Sequence, residues 1–232
     1  MSMSVQIVLF DGFDPLDVIA PFEVFVAGSE YFLDNALDIT LVSAEGARDV
    51  VSGSQGLRLR ATAALDPHRP GIVLVPGASG PVDGDPDEGA ETIPVLLARF
   101  AATGAIPLIA NAMRDPDVLV TAVCGGSLAL AMGGLCEGRN VVTHTLGMPL
   151  LEATGATAVN ARVVDDGDLV TAGGVTSGLD LALYLLERHF GPRIAHAVEE
   201  LFEYERRGTV WRAAGKAPTT VPKAPHAVSI RT

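Results

Sequence analysis

Mainly apolar runs recur along the chain and mark its predicted buried strands. The runs at residues 5–10, 71–75 and 118–123 each contain at most one polar side chain and are rich in valine, leucine and isoleucine. Such runs are typical of strands that are covered on both faces of a sheet. Weaker patterns predict further strands at residues 37–42, 55–61, 141–143 and 168–171.

Stretches with helical periodicity lie between these strands, at residues 15–27, 90–103, 126–134, 177–189 and 193–205. Strands that alternate with helices form βαβ units. The pattern therefore predicts an α/β fold, a three-layer α/β/α sandwich around a mainly parallel, flavodoxin-like sheet. We assign residues 1–211 to this single domain, and residues 212–232 to an extended or tag-like tail without chemistry.

Three segments that are candidates for a functional site come directly after predicted strands. They are the loop after Phe10, the Pro76-Gly77 turn and the turn at Cys124. Ligands of parallel sheets bind beyond the carboxyl ends of the strands. We therefore expect these segments to form one site.

Composition excludes several classes of function. With 48% hydrophobic and 19% charged residues, the chain has the composition of a globular domain. Its formal net charge of −12 opposes binding to nucleic acid and to anionic membranes. No signal peptide and no apolar run of about 20 residues is visible, so we expect a cytoplasmic protein. Neither of the two cysteines lies in a metal-ligand cluster, and no motif implies a metal or an organic cofactor.

Cys124 stands where the strand at residues 118–123 runs into a helix without a loop. Such a turn strains its apex residue and presents that side chain at the top of the sheet, as in the nucleophile elbow of hydrolases. The following Gly125 and Gly126 leave room for the turn. We expect the positive helix N-terminus to lower the thiol pKa and favour a thiolate. The alternative is a small buried cysteine that only packs.

Four motifs follow one another between residues 5 and 205. They read F-D-G-F-D-P-L-D-V-I-A-P-F-E-V-F, V-L-V-P-G-A-S-G, A-V-C-G-G-S-L-A-L-A-M-G-G-L and D-G-D-L-V-T-A-G-G-V-T-S-G-L-D-L-A-L. In order and spacing they resemble the acidic segment, oxyanion turn, nucleophile segment and C-terminal signature of the ThiJ/PfpI superfamily, relatives of class I glutamine amidotransferases. The L-D-x-x-x-P context of Asp17 resembles the isonitrile hydratase subgroup in particular.

The resemblance implies a role for two side chains. Cys124 matches the nucleophile, and Asp17 matches the acidic residue that faces its sulfur. A carboxyl group beside a thiolate in a dry pocket should have a raised pKa and could hold a proton for the substrate. From the residues alone, Asp11, Asp14 and Asp17 are equal candidates for the cap of the helix at 15–27.

Backbone donors complete the implied site. Gly77 and Ala78 match the turn whose N–H groups face the nucleophile, and Gly125 is assigned to the same set of donors. Such N–H groups stabilise negative charge that develops on a substrate. Without the resemblance, the Pro-Gly turn is equally well an ordinary strand end. His144 is a candidate pocket residue, although an isolated histidine is more often structural.

The chain departs from the family pattern at two places. Gly125 follows the nucleophile where the proteolytic members have histidine and the isonitrile hydratases commonly have threonine, which argues against a peptidase and leaves the substrate open. An apparent insertion at residues 110–116 could cover the site or extend a dimer contact. Asp180 is interpreted as a capping-box or packing residue, and Cys136 as inert.

Three functions are compatible with these residues. In the first, the Cys124 thiolate attacks the terminal carbon of an isonitrile, Asp17 supplies a proton, and water releases an N-substituted formamide. The second is a glyoxalase-like reaction of the same cysteine with a small dicarbonyl, which aspartate rather than glutamate at position 17 disfavours. The third is a non-catalytic ligand or oxidant sensor, since similar domains occur in AraC-type regulators. The expected partners are a small apolar electrophile and a second copy of the chain in a homodimer.

Overall fold

A central eight-stranded sheet organises the computed structural model, which describes residues 2–85 and 89–217. The strands, in chain order, are β1 Met3–Val8, β2 Leu37–Ser43, β3 Arg48–Val51, β4 Arg58–Ala61, β5 Ala63–Ala64, β6 Gly71–Val75, β7 Val118–Val123, β8 Asn140–Val141, β9 Thr157–Ala158, β10 Val163–Asp165, β11 Leu169–Ala172 and β12 Trp211–Arg212. The order across the sheet is β5-β2-β1-β6-β7-β11-β10-β12. β10 runs antiparallel to β11, and the other pairings in this sheet are parallel. β3 pairs with β4, and β8 with β9, outside it.

Helices cover both faces of the sheet. They are α1 Pro15–Ala27, α2 Ile93–Ala101, α3 Ala105–Ala112, α4 Gly125–Met132, α5 Met148–Ala153, α6 Ser177–Phe190 and α7 Pro192–Phe202. A π-helical turn, Gly28–Phe32, continues α1, and a 3-10 turn, Thr145–Gly147, precedes α5. α1 and α7 pack against α6 in one layer, whereas α2 and α5 pack against α4 in the other. The predicted α/β sandwich with a mostly parallel sheet is confirmed.

The middle of the sheet explains why three loops meet. β1 lies between β2 and β6, and β6 lies between β1 and β7, all in parallel. Every residue of β6 and β7 is buried, as their apolar sequences predict. The carboxyl ends of β1, β6 and β7 therefore lie side by side at one edge, with their loops above it.

Two peripheral segments differ from expectation. Residues 110–116, interpreted as an insertion, form the end of α3 and the turn that enters β7 at its amino end. Cys124 follows the other end of β7, about 20 Å away at the usual rise per residue. The suggestion that this segment covers the site is therefore wrong. Residues 55–61, interpreted as a strand, contribute only β4, which lies outside the main sheet.

The boundary assigned between domain and tail falls inside a strand. β12 contains Arg212, which pairs with Asp165 of β10. Residues 218–232, most of the assigned tail, lie outside the described residues.

In the part of the chain that the structure describes, no single helix is long and apolar enough to cross a membrane; α2 and α3 meet that test only together, as a pair bent by 68°.

Candidate active site

Cys124 occupies a tight turn between β7 and α4. Its backbone has φ 55° and ψ −127°, a conformation that residues other than glycine rarely adopt. The Cys124 N–H donates to the carbonyl oxygens of Ala172 and Gly173, each at 3.0 Å. A Cβ atom on Gly126 would lie 2.2 Å from the Val75 carbonyl oxygen, so the elbow requires glycine there. The predicted strand-to-helix elbow is thus present.

Two buried hydroxyl groups contact the carbonyl oxygen of Cys124 and so hold the elbow in place. Thr143 Oγ1 donates to the Cys124 carbonyl oxygen at 2.7 Å, and Ser127 Oγ lies 3.0 Å from the same oxygen. Ser127 Oγ also contacts the Val142 carbonyl oxygen at 2.6 Å. Sequence reasoning missed both hydroxyls, because threonine and serine give no signal until tertiary structure brings them to the turn.

The structure separates the three aspartates of the acidic segment. Asp14 caps α1, with Oδ1 accepting the Leu16 N–H at 2.9 Å. Asp11 lies outside, where it pairs with Arg48 at 3.0 Å. Asp17, in the first turn of α1, is completely buried. Its Oδ2 accepts the Gly77 N–H at 2.9 Å, whereas Oδ1 has no hydrogen-bond partner among the described residues.

Burial dominates the acid–base properties of Asp17 and Cys124. Loss of water raises the pKa of Asp17 to about 8, and the nearby charge of Asp14 adds to the rise. The Gly77 N–H and the Cys124 thiol lower the pKa of Asp17 by less than burial raises it. Asp17 is therefore mostly protonated at neutral pH, as expected for a carboxyl group in a dry pocket.

The expected lowering of the thiol pKa is wrong. Burial, followed by the charge of Asp17, raises the pKa of Cys124 to about 12. The N–H groups of Gly125 and Val175 act in the predicted direction, but they offset only part of that rise. Cys124 is only 7% exposed. The sequence predicts the helix N-terminus beside it, but not this depth of burial. Protonation of Asp17 removes the neighbouring negative charge, so the thiolate is favoured when Asp17 carries a proton.

The Pro76-Gly77 turn offers only one of the two backbone donors expected there. The Gly77 N–H is already engaged by Asp17, so it does not fit the role of an oxyanion donor. The Ala78 N–H has no acceptor within the described part of the chain, and Ala78 lines the cavity beside Cys124. The Gly125 N–H lowers the pKa of the Cys124 thiol, so it acts on the sulfur.

A cavity of about 490 Å³ opens above Cys124. Its walls are mostly aliphatic, from α2, α4, the segment around α5 and two loops: Val82, Ile93, Pro94, Leu97, Leu128, Leu146, Leu150 and Val175. The polar or ionisable side chains in the wall are few: Asp14, Ser79, Cys124, Thr143 and His144. The cavity therefore suits a small, mainly apolar molecule.

His144 lines this cavity as predicted, and its position is set by the backbone. Its Nδ1 accepts the Leu146 N–H at 3.2 Å, which places the proton of the neutral ring on Nε2. Asp180 and Cys136 lie elsewhere. Asp180 forms no capping box; its Oδ2 accepts from Arg162 Nε at 2.7 Å and from Tyr204 Oη at 3.0 Å, so it joins other elements through hydrogen bonds.

Metal ligands are not assembled at the site. Among residues 2–85 and 89–217, no group of three or more histidine, cysteine, aspartate or glutamate side chains could hold a metal ion. The chemistry available from the described residues is that of a thiol, a carboxyl group and backbone N–H groups.

Comparison with known proteins gives four similarities. A family model described as the DJ-1/PfpI family matches residues 98–188. Isonitrile hydratase from Pseudomonas putida is 30% identical over 207 residues, which are 88% of this chain and 79% of that protein. A solved ThiJ/PfpI family protein from Pseudomonas syringae has a TM-score of 0.72 at 22% identity, covering 90% of this chain and 77% of its own. Drosophila melanogaster DJ-1beta has a TM-score of 0.69 at 19% identity, covering 88% of this chain and 100% of its own.

Proposed function

The chain belongs to the DJ-1/PfpI family, and from that premise we propose that it hydrates a small apolar isonitrile to an N-substituted formamide. One observation carries the proposal: a protonated, fully buried carboxyl group stands beside a cysteine at the base of an apolar cavity. The isonitrile carbon both accepts a proton and receives a nucleophile in this reaction. A neighbouring acid and thiol provide both at one place.

In the first step, Asp17 gives its proton to the terminal isonitrile carbon while the Cys124 sulfur attacks that carbon. A C–H bond and a C–S bond form, the N≡C bond becomes N=C, and the thiol proton passes to the Asp17 carboxylate. The product is a thioimidate on Cys124. The unpartnered Oδ1 of Asp17 supports this role, because the other oxygen is held by Gly77.

In the second step, water adds to the thioimidate carbon. Asp17 first gives its proton to the imidate nitrogen, and its carboxylate then takes a proton from the attacking water. The C–S bond breaks as the carbinol oxygen forms C=O, Asp17 gives its proton to the leaving sulfur and takes the carbinol hydroxyl proton, and the formamide leaves. We assign the stabilisation of charge on the new oxygen to the Ala78 N–H, because Ala78 lines the cavity and its N–H has no acceptor in the described structure.

The cavity wall supports an apolar substituent on the isonitrile. Ile93, Leu97, Leu128 and Leu150 present aliphatic surface, and no lysine or arginine side chain lines the described wall. Methylglyoxal has only one methyl group to place against this aliphatic wall, which leaves the glyoxalase-like reaction as the weaker candidate.

Turnover of cyclohexyl isocyanide, followed as formamide by chromatography and mass spectrometry, tests the proposal. We expect formamide from the wild type, and a loss of at least about a hundredfold in kcat/KM in Cys124→Ser and in Asp17→Asn. Cys136→Ser, which alters a buried cysteine away from the elbow, is the matched control and should stay active. Turnover of methylglyoxal but not of the isocyanide would contradict the proposal and support the glyoxalase-like reaction at this site. A fully active Cys124→Ser protein would contradict both.

A further inference from the structure

Asp14 brings a second carboxylate to the cavity above Cys124. Two bonds hold this residue: its Oδ1 accepts the Leu16 N–H at 2.9 Å, and its own N–H donates to the Gly77 carbonyl oxygen at 2.8 Å. Asp14 therefore stands at a fixed place one helical turn before Asp17. Unlike Asp17, it reaches the cavity wall and is partly exposed.

No lysine or arginine side chain of the described residues offsets the charge of Asp14. The ionisable side chains of the described cavity wall are Asp14, Cys124 and His144, with Asp17 buried behind them. Within residues 2–85 and 89–217, Asp14 forms no ion pair with lysine, arginine or histidine. Its charge raises the pKa of both Asp17 and Cys124, which shows that its field extends across the base of the cavity.

We propose that Asp14 makes the site selective by charge, admitting neutral electrophiles and excluding anionic ones. An anion would enter an apolar cavity that holds a carboxylate and no lysine or arginine with which to pair, whereas a neutral molecule meets no such repulsion. Asp14 acts here as a specificity-determining residue through its charge. The inference rests on the proposed function in one respect, that the substrate binds in this cavity. It narrows the proposed substrates to uncharged isonitriles.

Alkylation of Cys124 tests the inference without assuming any natural reaction. Iodoacetamide and iodoacetate are similar in size and differ by one negative charge. The ratio of their rates at one pH cancels the thiolate fraction, so it reports charge selection alone. Mass spectrometry of the Cys124 peptide separates this cysteine from Cys136.

The variant Asp14→Asn removes the charge and keeps the cap, because asparagine caps helices as well as aspartate does. We expect the iodoacetamide-to-iodoacetate ratio to fall about three- to tenfold in this variant at low ionic strength, and added salt to reduce the wild-type ratio as well. Asp11→Asn is the matched control. It removes the same charge from a residue that pairs with Arg48 and does not line this cavity, so the ratio should stay at the wild-type value.

A second pair of probes connects the result to turnover. Ethyl isocyanoacetate is neutral and isocyanoacetate is anionic, and Asp14→Asn should raise kcat/KM for the anion relative to the ester. If neither isonitrile reacts while the alkylation ratio still shifts, the proposed function fails and charge selection stands. An unchanged ratio in Asp14→Asn, or a Cys124 that reagents of neither charge alkylate, overturns the inference.

Discussion

Gly77 donates its backbone N–H to Asp17 Oδ2 at 2.9 Å and lies against the Cys124 elbow on its other side. Its carbonyl oxygen accepts the Asp14 N–H at 2.8 Å. In an ordinary capping box the acidic residue at the third helical position would accept the N–H of the cap residue. Here the Asp14 N–H donates to the Gly77 carbonyl oxygen instead, and the Asp17 carboxyl group accepts the Gly77 N–H. The Asp17 side chain therefore turns inward. The end of β6 thereby fixes the position of the acid.

Gly77→Ala should damage both stability and activity. The new Cβ would lie 2.6 Å from the Gly125 nitrogen and 2.8 Å from Asp17 Oδ2, so the elbow or the acid must move. We expect a loss of about 1–3 kcal/mol in the free energy of unfolding, together with strongly reduced turnover. Urea denaturation measures the first. Gly104→Ala is the control, because nothing lies within 4 Å of its Cβ position. Wild-type stability in Gly77→Ala would contradict the packing described above.

Asp17 should make the protein less stable as the pH rises. Its pKa is raised from 3.8 to about 8, so the folded chain holds this proton more tightly than the unfolded chain. The resulting stability is complete below about pH 4 and is lost as the pH approaches 8. Between pH 5 and 8, the free energy of unfolding of the wild type should fall on the order of 3 kcal/mol more than that of Asp17→Asn.

Denaturation curves at pH 5, 6.5 and 8 would measure that difference. Asp11→Asn serves as the control, because the pKa of Asp11 is lowered and its linked change falls below this range. Parallel pH profiles for Asp17→Asn and the wild type would show that Asp17 is ionised throughout, against the acid role.

Gly125→Thr should conflict with Leu97. A Cβ at position 125 would lie 2.9 Å from Leu97 Cδ1, so the leucine occupies the space that a threonine would need. The single variant should lose about 1–2 kcal/mol of unfolding free energy. Leu97→Ala should recover part of that loss in the double variant, although it is destabilising alone. Strictly additive effects in this double-mutant cycle would mean that the two side chains do not compete.

Thr143→Val should loosen the elbow while preserving the shape of the side chain. The variant leaves the Cys124 carbonyl oxygen with Ser127 as its remaining hydroxyl contact. We expect a loss of about 1–2 kcal/mol in stability and slower alkylation or turnover at Cys124. Thr62→Val, where an exposed hydroxyl makes a long 3.4 Å contact, should change little. An equal effect at both positions would remove the special role of Thr143.

Long apolar runs and local signals made much of the fold predictable. The bounds of α1, β6 and β7 coincide with the predicted segments, because a cap, a proline or an uninterrupted apolar run marks each end. β10 and β12 were missed, since strands of three and two residues depend on distant partners more than on their own sequence. The family resemblance is confirmed, whereas the homodimer, the cytoplasmic location and the domain limits stay predictions.

The candidate site was predictable as a set of residues but not in its energetics. Cys124, Asp17 and Gly77 follow or face strand ends that sequence could locate. The raised thiol pKa was not predictable, because it depends on how deeply the finished fold buries the sulfur. The contact of Gly77 with Asp17 was equally hidden, because the two residues are 60 positions apart.

The backbone of Cys124 has a consequence for how such a sequence changes over time. At φ 55° a cysteine bears strain of roughly 1–3 kcal/mol that glycine would not. Selection for folding alone would therefore replace Cys124 by glycine, and Cys124→Gly is a change that could raise the melting temperature while abolishing the thiol chemistry. A cysteine at this strained position is therefore what the proposed thiol chemistry requires and what folding alone does not.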